Sequence, residues 1–246
     1  MKSLLYWPYQ IYAGLIFLPL VIILTLLFSG LTIIFSVLIN PEWASRYLAG
    51  TWARLLAWLT PISVHVEGAE NADRNRSYVV AINHQSQFDI LVVYGWLQLD
   101  LKWVLKQELR KLPGLGKGCE MAGHIYVDRS NPRKARKSVN DALKRLDEGV
   151  GILFFPEGTR SKDGRLLPFK KGAFRTAIDQ GLPVLPVTLR GTRDILPARS
   201  LRLFPGRTSM VIHPAIETSE MTLADLPLLR DSTREAISRA MPAELQ

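Results

Sequence analysis

The chain has 246 residues, a net charge of +9 and a single cysteine, Cys119. One cysteine excludes an intrachain disulfide, and His65, His84, His124 and His213 are too scattered to suggest a zinc cluster. The basic balance calls for an anionic partner, whether membrane surface, nucleic acid or phosphorylated substrate.

In chain order, the first feature is Ser3–Pro41, which contains no charged residue. A helix crossing a bilayer needs about 20 apolar residues, so this stretch is longer than one straight span requires. Pro19 and Gly30 are candidate kinks or breaks. The stretch is too long for a secretory signal and ends without a small-x-small cleavage site. A second helix is predicted from Pro41-Glu42, with Asn40 as its cap. It mixes Trp43, Tyr47, Trp52 and Trp58 with Arg46 and Arg54. Aromatic and basic residues together suit the headgroup region of a membrane.

From residue 62 the pattern alternates. Strands are predicted at Ile62–Val66, Tyr78–Ile82, Lys102–Leu105, Ile125–Val127, Gly151–Phe155, Val184–Leu189 and Ser209–His213. Helices are predicted near 88–98, 133–148 and 172–180. This alternation predicts an α/β fold with a mixed, largely buried sheet flanked by helices. Gly114, Gly116 and Gly118 read as a glycine-rich loop, without the lysine-serine ending of a phosphate loop or the spacing of a dinucleotide fingerprint. The organisation reads as 1–60, a membrane-inserting element; 61–220, the α/β domain; and 221–246, a polar tail with one short amphipathic helix.

The helix near 133–148 has Asn131 as N-cap and Pro132 as first residue. Ala135, Val139, Ala142, Leu143 and Leu146 make its apolar face. Arg133, Lys134, Arg136 and Lys137 cluster at its start, either as a solvated face or facing an anion. No nucleic-acid module with stacking aromatics is recognisable, which leaves lipid as the favoured anionic partner.

Two motifs carry chemistry. The first is Asn83-His84-Gln85-Ser86-Gln87-Phe88-Asp89. Imidazole, with an ordinary pKa of about 6.5, suits a general base near neutral pH. Asp89 lies five residues on, across a turn entering a helix, and can return to hold the ring and stabilise its protonated form. No serine is needed if the nucleophile is the substrate's own hydroxyl. An ordinary strand cap and helix cap would use the same two residue types. The second motif is Phe155-Pro156-Glu157-Gly158-Thr159-Arg160-Ser161. Gly158 permits positive φ or close backbone approach. Arg160 offers a planar fork for phosphate. Glu157 would position a hydroxyl or hold the arginine, and a plain turn with a surface ion pair is the alternative.

Together the two motifs resemble those of the glycerolipid acyltransferases, the type that acylates lysophosphatidic acid. Further blocks extend the resemblance over roughly residues 62 to 192. They are Lys102 to Leu109, containing Lys106; Gly123-His124-Ile125-Tyr126-Val127-Asp128-Arg129; Lys170-Lys171-Gly172-Ala173-Phe174; and Val184-Leu185-Pro186-Val187. The resemblance implies transfer of an acyl group from coenzyme A or acyl carrier protein to the sn-2 hydroxyl of 1-acylglycerol-3-phosphate. His84 and Asp89 would be catalytic. Lys106, Arg129 and Arg160 would hold the phosphate, and Glu157, Gly158 and Thr159 would shape the acceptor site. It implies no metal and no cofactor beyond the thioester co-substrate. It also implies an N-terminal two-helix element dipping into the cytoplasmic leaflet, placing the domain on the cytoplasmic side of the membrane. Other lysolipid acceptors, such as lyso-ornithine lipid or lysophosphatidylglycerol, are the alternatives within the chemistry. A non-catalytic membrane adaptor is the alternative outside it. The absence of a Gly-x-Ser-x-Gly elbow speaks against an esterase.

Overall fold

The computed structural model describes residues 3–128, 130–143 and 148–245. Its N-terminal part is one long helical rod. Helix α1 (Ser3–Tyr12) runs through a π-helical turn (Ala13–Phe17) into α2 (Leu18–Leu38). Pro19 therefore does not break the rod. It falls at the start of α2, directly after the π turn, whose shifted hydrogen bonding accommodates a residue with no N–H to donate. Asn40 ends the turn that follows by accepting the Trp43 N–H at 2.7 Å. The chain then returns through α3 (Pro41–Trp43), a second π turn (Ala44–Leu48) and α4 (Ala49–Leu59).

All seven expected strands are present: β1 (Ile62–Glu67), β2 (Val79–Ile82), β3 (Asp100–Lys106), β4 (Ile125–Val127), β5 (Val150–Phe154), β6 (Val184–Arg190) and β7 (Gly206–Ile212). They form one sheet in the order β1-β7-β6-β2-β5-β3-β4. Every neighbouring pair is parallel except β6 with β7. Val79, Val80, Ala81 and Ile82 of β2 are fully buried, as a central strand covered on both faces requires.

The helices of the α/β part are α5 (Phe88–Trp96), α6 (Leu115–Met121), α7 (Pro132–Leu143), α8 (Gly172–Gln180), α9 (Thr192–Ile195) and α10 (Leu226–Arg239). One face of the sheet, with Val80, Ile82, Leu153 and Leu185, packs on Val92 and Val93 of α5. Outside α5 lie Ala53 and Leu56 of α4 and Ala13 and Phe17 of the rod. The opposite face packs on α8 and α10 through Val79, Ala81, Phe174 and Leu229. Helix α7 covers the same side through Val139 against Ile125, Val127 and Ile152. Leu146, expected on the apolar face of α7, lies outside the described residues.

Two expectations need correction. The glycines at 114, 116 and 118 are not a loop throughout, because residues 115–121 form α6, wedged against the rod. A β-carbon at 118 would collide with Ser29 Oγ, and one at 116 with the Arg110 carbonyl. The glycines therefore serve close helix packing, and the Ser29 hydroxyl completes it by donating to the Gly114 carbonyl at 2.8 Å. The C-terminal segment, expected as a polar tail with one short amphipathic helix, forms that helix, α10, but packs it into the α/β domain. Leu229, Thr233 and Ile237 of α10 are fully buried, and the Thr188 hydroxyl of β6 donates to the Ile237 carbonyl at 3.1 Å.

Candidate active site

The carboxyl ends of parallel strands open onto the crevice where α/β folds bind ligands. Here β2 and β5 are adjacent, with Ala81 paired to Phe154. His84 and Glu157 each follow those residues by three positions, so strand pairing alone brings the two motifs together.

The His84 loop is held from every side. The Asn83 side chain makes a two-point contact with β6, accepting the Leu189 N–H at 2.7 Å and donating to the Leu189 carbonyl at 2.9 Å. The Ser86 hydroxyl donates to the Leu196 carbonyl at 2.7 Å and accepts from the Phe88 N–H at 3.1 Å. It is thus fully engaged as a structural group and is not a nucleophile. The Gln85 amide donates to the Gly164 carbonyl at 2.9 Å.

Asp89, in the first turn of α5, is fully buried. Its Oδ2 lies 2.7 Å from His84 Nδ1 and accepts the backbone N–H groups of Gln85 and Ser86 at 2.8 and 2.9 Å. A carboxylate partner on Nδ1 makes that nitrogen the donor, which directs the lone pair of the neutral ring to Nε2. The ring also stacks on Phe155, with centroids 3.8 Å apart and planes 15° from parallel. Two contacts therefore fix the imidazole: one sets its rotation, the other its tilt. Its side chain keeps 17% of its exposure, enough to meet a substrate.

Glu157 does not hold an arginine. Its Oε1 accepts the His84 N–H at 2.7 Å and its Oε2 accepts the Leu167 N–H at 2.9 Å. It clamps the backbone of the His84 loop to the segment leading into α8. Burial pushes its carboxyl up to about 7, against the pull of those two N–H donors. The Ser161 N–H donates in turn to the His84 carbonyl at 2.9 Å. Gly158 has φ of 72°, and Lys170 Nζ occupies the space a β-carbon there would need. Thr159 is exposed and Arg160 half-buried on the same loop. Among the described residues Arg160 has no ion-pair partner, so its guanidinium is available to an anion. Lys106 ends β3 at the same edge of the sheet, exposed and 3.2 Å from Glu108. Arg129 lies outside the described residues.

A second polar group lies behind the site; Lys102 and His124 fall inside the motif blocks, but the sequence assigns neither a role there. Lys102 is fully buried, its Nζ 3.1 Å from both Asp100 oxygens. His124 pairs with the Tyr94 hydroxyl at 2.7 Å, and burial, with the nearby Lys102 charge, drives its pKa down to about 3. It stays neutral and structural. A lysine inside the apolar run Leu101-Lys102-Trp103-Val104 is the one sequence signal that could have found this group. Cys119, read as structural, has its thiol pushed up to about 11 by burial.

A buried carboxylate on Nδ1 and, among the described residues, no side-chain nucleophile hydrogen-bonded to the imidazole make an arrangement chemically able to serve as a His–Asp general base. Such a site activates a hydroxyl that the substrate brings. Residues 63–190 match the acyltransferase family, and the chain belongs to it. Among its relatives, the 1-acyl-sn-glycerol-3-phosphate acyltransferase of Limnanthes douglasii is 33% identical over 77% of this chain and 67% of its own length. The alpha form of that enzyme from Mus musculus is 33% identical over 73% of this chain and 64% of its own length. A Chlamydomonas reinhardtii 1-acyl-sn-glycerol-3-phosphate acyltransferase is matched over 60% of its length, so the chain spans roughly three fifths to two thirds of these relatives. The crystal structure of the 1-acyl-sn-glycerophosphate (LPA) acyltransferase PlsC from Thermotoga maritima superposes with a TM-score of 0.81. It is 28% identical and aligns over 97% of this chain and 95% of that one.

Proposed function

We propose that this chain transfers an acyl group from a thioester to the sn-2 hydroxyl of 1-acylglycerol-3-phosphate, giving phosphatidic acid. The observation that carries the reading is the 2.7 Å contact between His84 Nδ1 and Asp89, which leaves Nε2 as the basic nitrogen of the neutral ring. His84 Nε2 takes the hydroxyl proton as the oxygen attacks the thioester carbonyl. The tetrahedral intermediate then collapses, the C–S bond breaks, and the departing sulfur takes the proton back from Nε2. Asp89 stabilises the transient imidazolium. The relatives' names support lysophosphatidic acid as acceptor. An acyl-transfer assay over a panel of lysolipids, with coenzyme A and carrier-protein thioesters as donors, tests this directly. Activity confined to an unphosphorylated acceptor, or no transfer from either donor, overturns it.

Arg160 is assigned to the acceptor phosphate, with Lys106 and Arg129 as further cations. Arg160→Lys keeps the charge and loses the two-pronged fork. The expected result is an apparent KM for lysophosphatidic acid raised by about tenfold, the equivalent of roughly one charge-assisted hydrogen bond, with little change for the thioester. Equal effects on both substrates would mean a structural role.

The apolar rod is compatible with membrane association: Leu5–Leu38 is long and apolar enough to cross a bilayer and is mostly unburied. Its placement favours lying along one leaflet over crossing the bilayer. Contacts with the rest of the chain recur along its length: Tyr9 and Tyr12 hydroxyls donate to the Thr60 and Leu59 carbonyls, Gln10 bonds Leu203, Thr25 accepts from Trp52, and Ser29 bonds Gly114. Removal of residues before Thr60 would strip α4 from α5, the helix that carries Asp89, so point changes are the cleaner test. Ile22 and Ile23 are more than half exposed. Ile22→Lys with Ile23→Lys is expected to let carbonate or high salt extract a protein that otherwise needs detergent, because charge in the apolar layer costs about 2 kcal/mol or more per residue. Retention of the double variant through both washes would count against insertion.

A further inference from the structure

Helix α7 carries Arg133, Lys134, Arg136 and Lys137 in its first two turns, all exposed. At about 100° per residue they cover an arc of roughly 160°, centred opposite the stripe of Ala135, Val139 and Ala142. That stripe packs on the sheet, so the cations point away from it. None of the four has an ion-pair partner among the described residues. Their place on the helix is also the wrong one for helix stability. The N-terminal end of the macrodipole is positive and favours carboxylates, whereas cations belong in the last turn. The cluster thus works against its own helix unless an external anion meets it.

The fold narrows what that anion is. The rod and α4 lie outside α5, on one face of the sheet, whereas α7 covers the other. A bilayer seated on the rod is therefore separated from α7 by the sheet. A nucleotide is also a poor fit, since α7 has the sequence PRKARKSVNDAL and offers no aromatic face for a base. What remains is a convex, evenly basic ridge, complementary to an acidic helical protein surface. The ridge is close to the chemistry. Helix α7 begins five residues after Val127, the last residue of β4, whose carboxyl end shares the sheet edge of His84. Strand β4 is three places from β2 in the sheet, about 14 Å at 4.8 Å per step.

We propose that α7 is the docking surface for an acidic carrier protein that delivers the acyl group as a thioester on a flexible prosthetic arm. This rests on the acyl-transfer reading but is measurable apart from it. In the first measurement, labelled holo-acyl carrier protein is titrated with the full-length, detergent-solubilised chain. Binding that weakens as salt rises is expected, and it should weaken at least tenfold further in Arg133→Glu/Arg136→Glu/Lys137→Glu. The neutral triple variant with glutamine should fall between. In the second, kcat/KM is compared for one acyl chain on the two donors. The variant should lose about tenfold with the carrier-protein thioester and less than twofold with the coenzyme A thioester, which also reports an intact site. Failure of the native chain to bind carrier protein overturns the proposal. So do equal losses on both donors, or variants that keep carrier binding and instead lose retention on anionic vesicles. Salt-sensitive carrier binding by a chain that transfers no acyl group would uphold the docking surface and overturn the acyl-transfer reading instead.

Discussion

Replacing His84 by alanine is expected to lower turnover by a factor on the order of 10² to 10⁴, the range for loss of a positioned general base. The chain should still fold, because Asn83, Ser86, Gln85 and Glu157 hold the loop, although the buried Asp89 loses one partner and the melting temperature should fall somewhat. Asp89 separates catalysis from folding more finely. Asp89→Asn can place its side-chain oxygen where Oδ2 now sits, keeping the bonds from Gln85, Ser86 and His84. Its amide nitrogen would then replace Oδ1, which is buried without a partner. The fold should survive, while loss of the negative charge leaves the imidazolium unstabilised and lowers kcat by an order of magnitude or more. Asp89→Ala also strands two buried N–H groups, each costing about 1–3 kcal/mol, so it should reduce stability as well as activity. Activity measured alongside thermal unfolding checks all three. Near-native turnover by folded His84→Ala protein would remove His84 from the mechanism.

The second large effect belongs to Glu157. Its ordinary carboxyl value of 4.5 is raised to about 7 in the folded chain. An acid with a raised folded value contributes stability that is full below about pH 4.5 and is lost as the pH rises through about 7. The difference across that window is on the order of 3 kcal/mol. Glu157→Gln removes this pH dependence, so the variant's unfolding free energy should be flatter than the native chain's between those limits. The amide cannot accept at both positions, however. One of the His84 or Leu167 N–H groups would face another donor, at a cost of about 1–3 kcal/mol. The expected outcome is a variant less stable at acid pH and closer to the native chain near neutrality, with reduced turnover because the clamp on the His84 backbone is loosened. Parallel pH profiles for the two proteins would mean that Glu157 does not titrate in this range.

Much of this was legible in the chain. The apolar runs are bounded by turn residues, so strand positions and the α/β class follow from pattern alone, to within about three residues at the start of β7. The His84–Asp89 contact is local. Five residues across a helix entry leave little freedom, and the first turn of a helix favours a carboxylate. The cap at Asn40 and the start of α7 are local in the same way.

What needed tertiary structure was every feature whose partner is far off in sequence. Glu157 and His84 are 73 residues apart, and only the parallel pairing of β2 with β5 makes the glutamate a backbone clamp rather than an arginine partner. Glycine's poor helix propensity predicts a loop at 114–118, yet packing against Ser29 makes a helix there, because only glycine lets the two backbones approach. Helix α10 reads as a short amphipathic helix in a polar tail; its few buried residues count as core only once Ala81 and Val184 present a face to cover. The charge of α7 was plain in the sequence, but its direction was not. That it faces away from the rod follows from strand order, which no local pattern encodes.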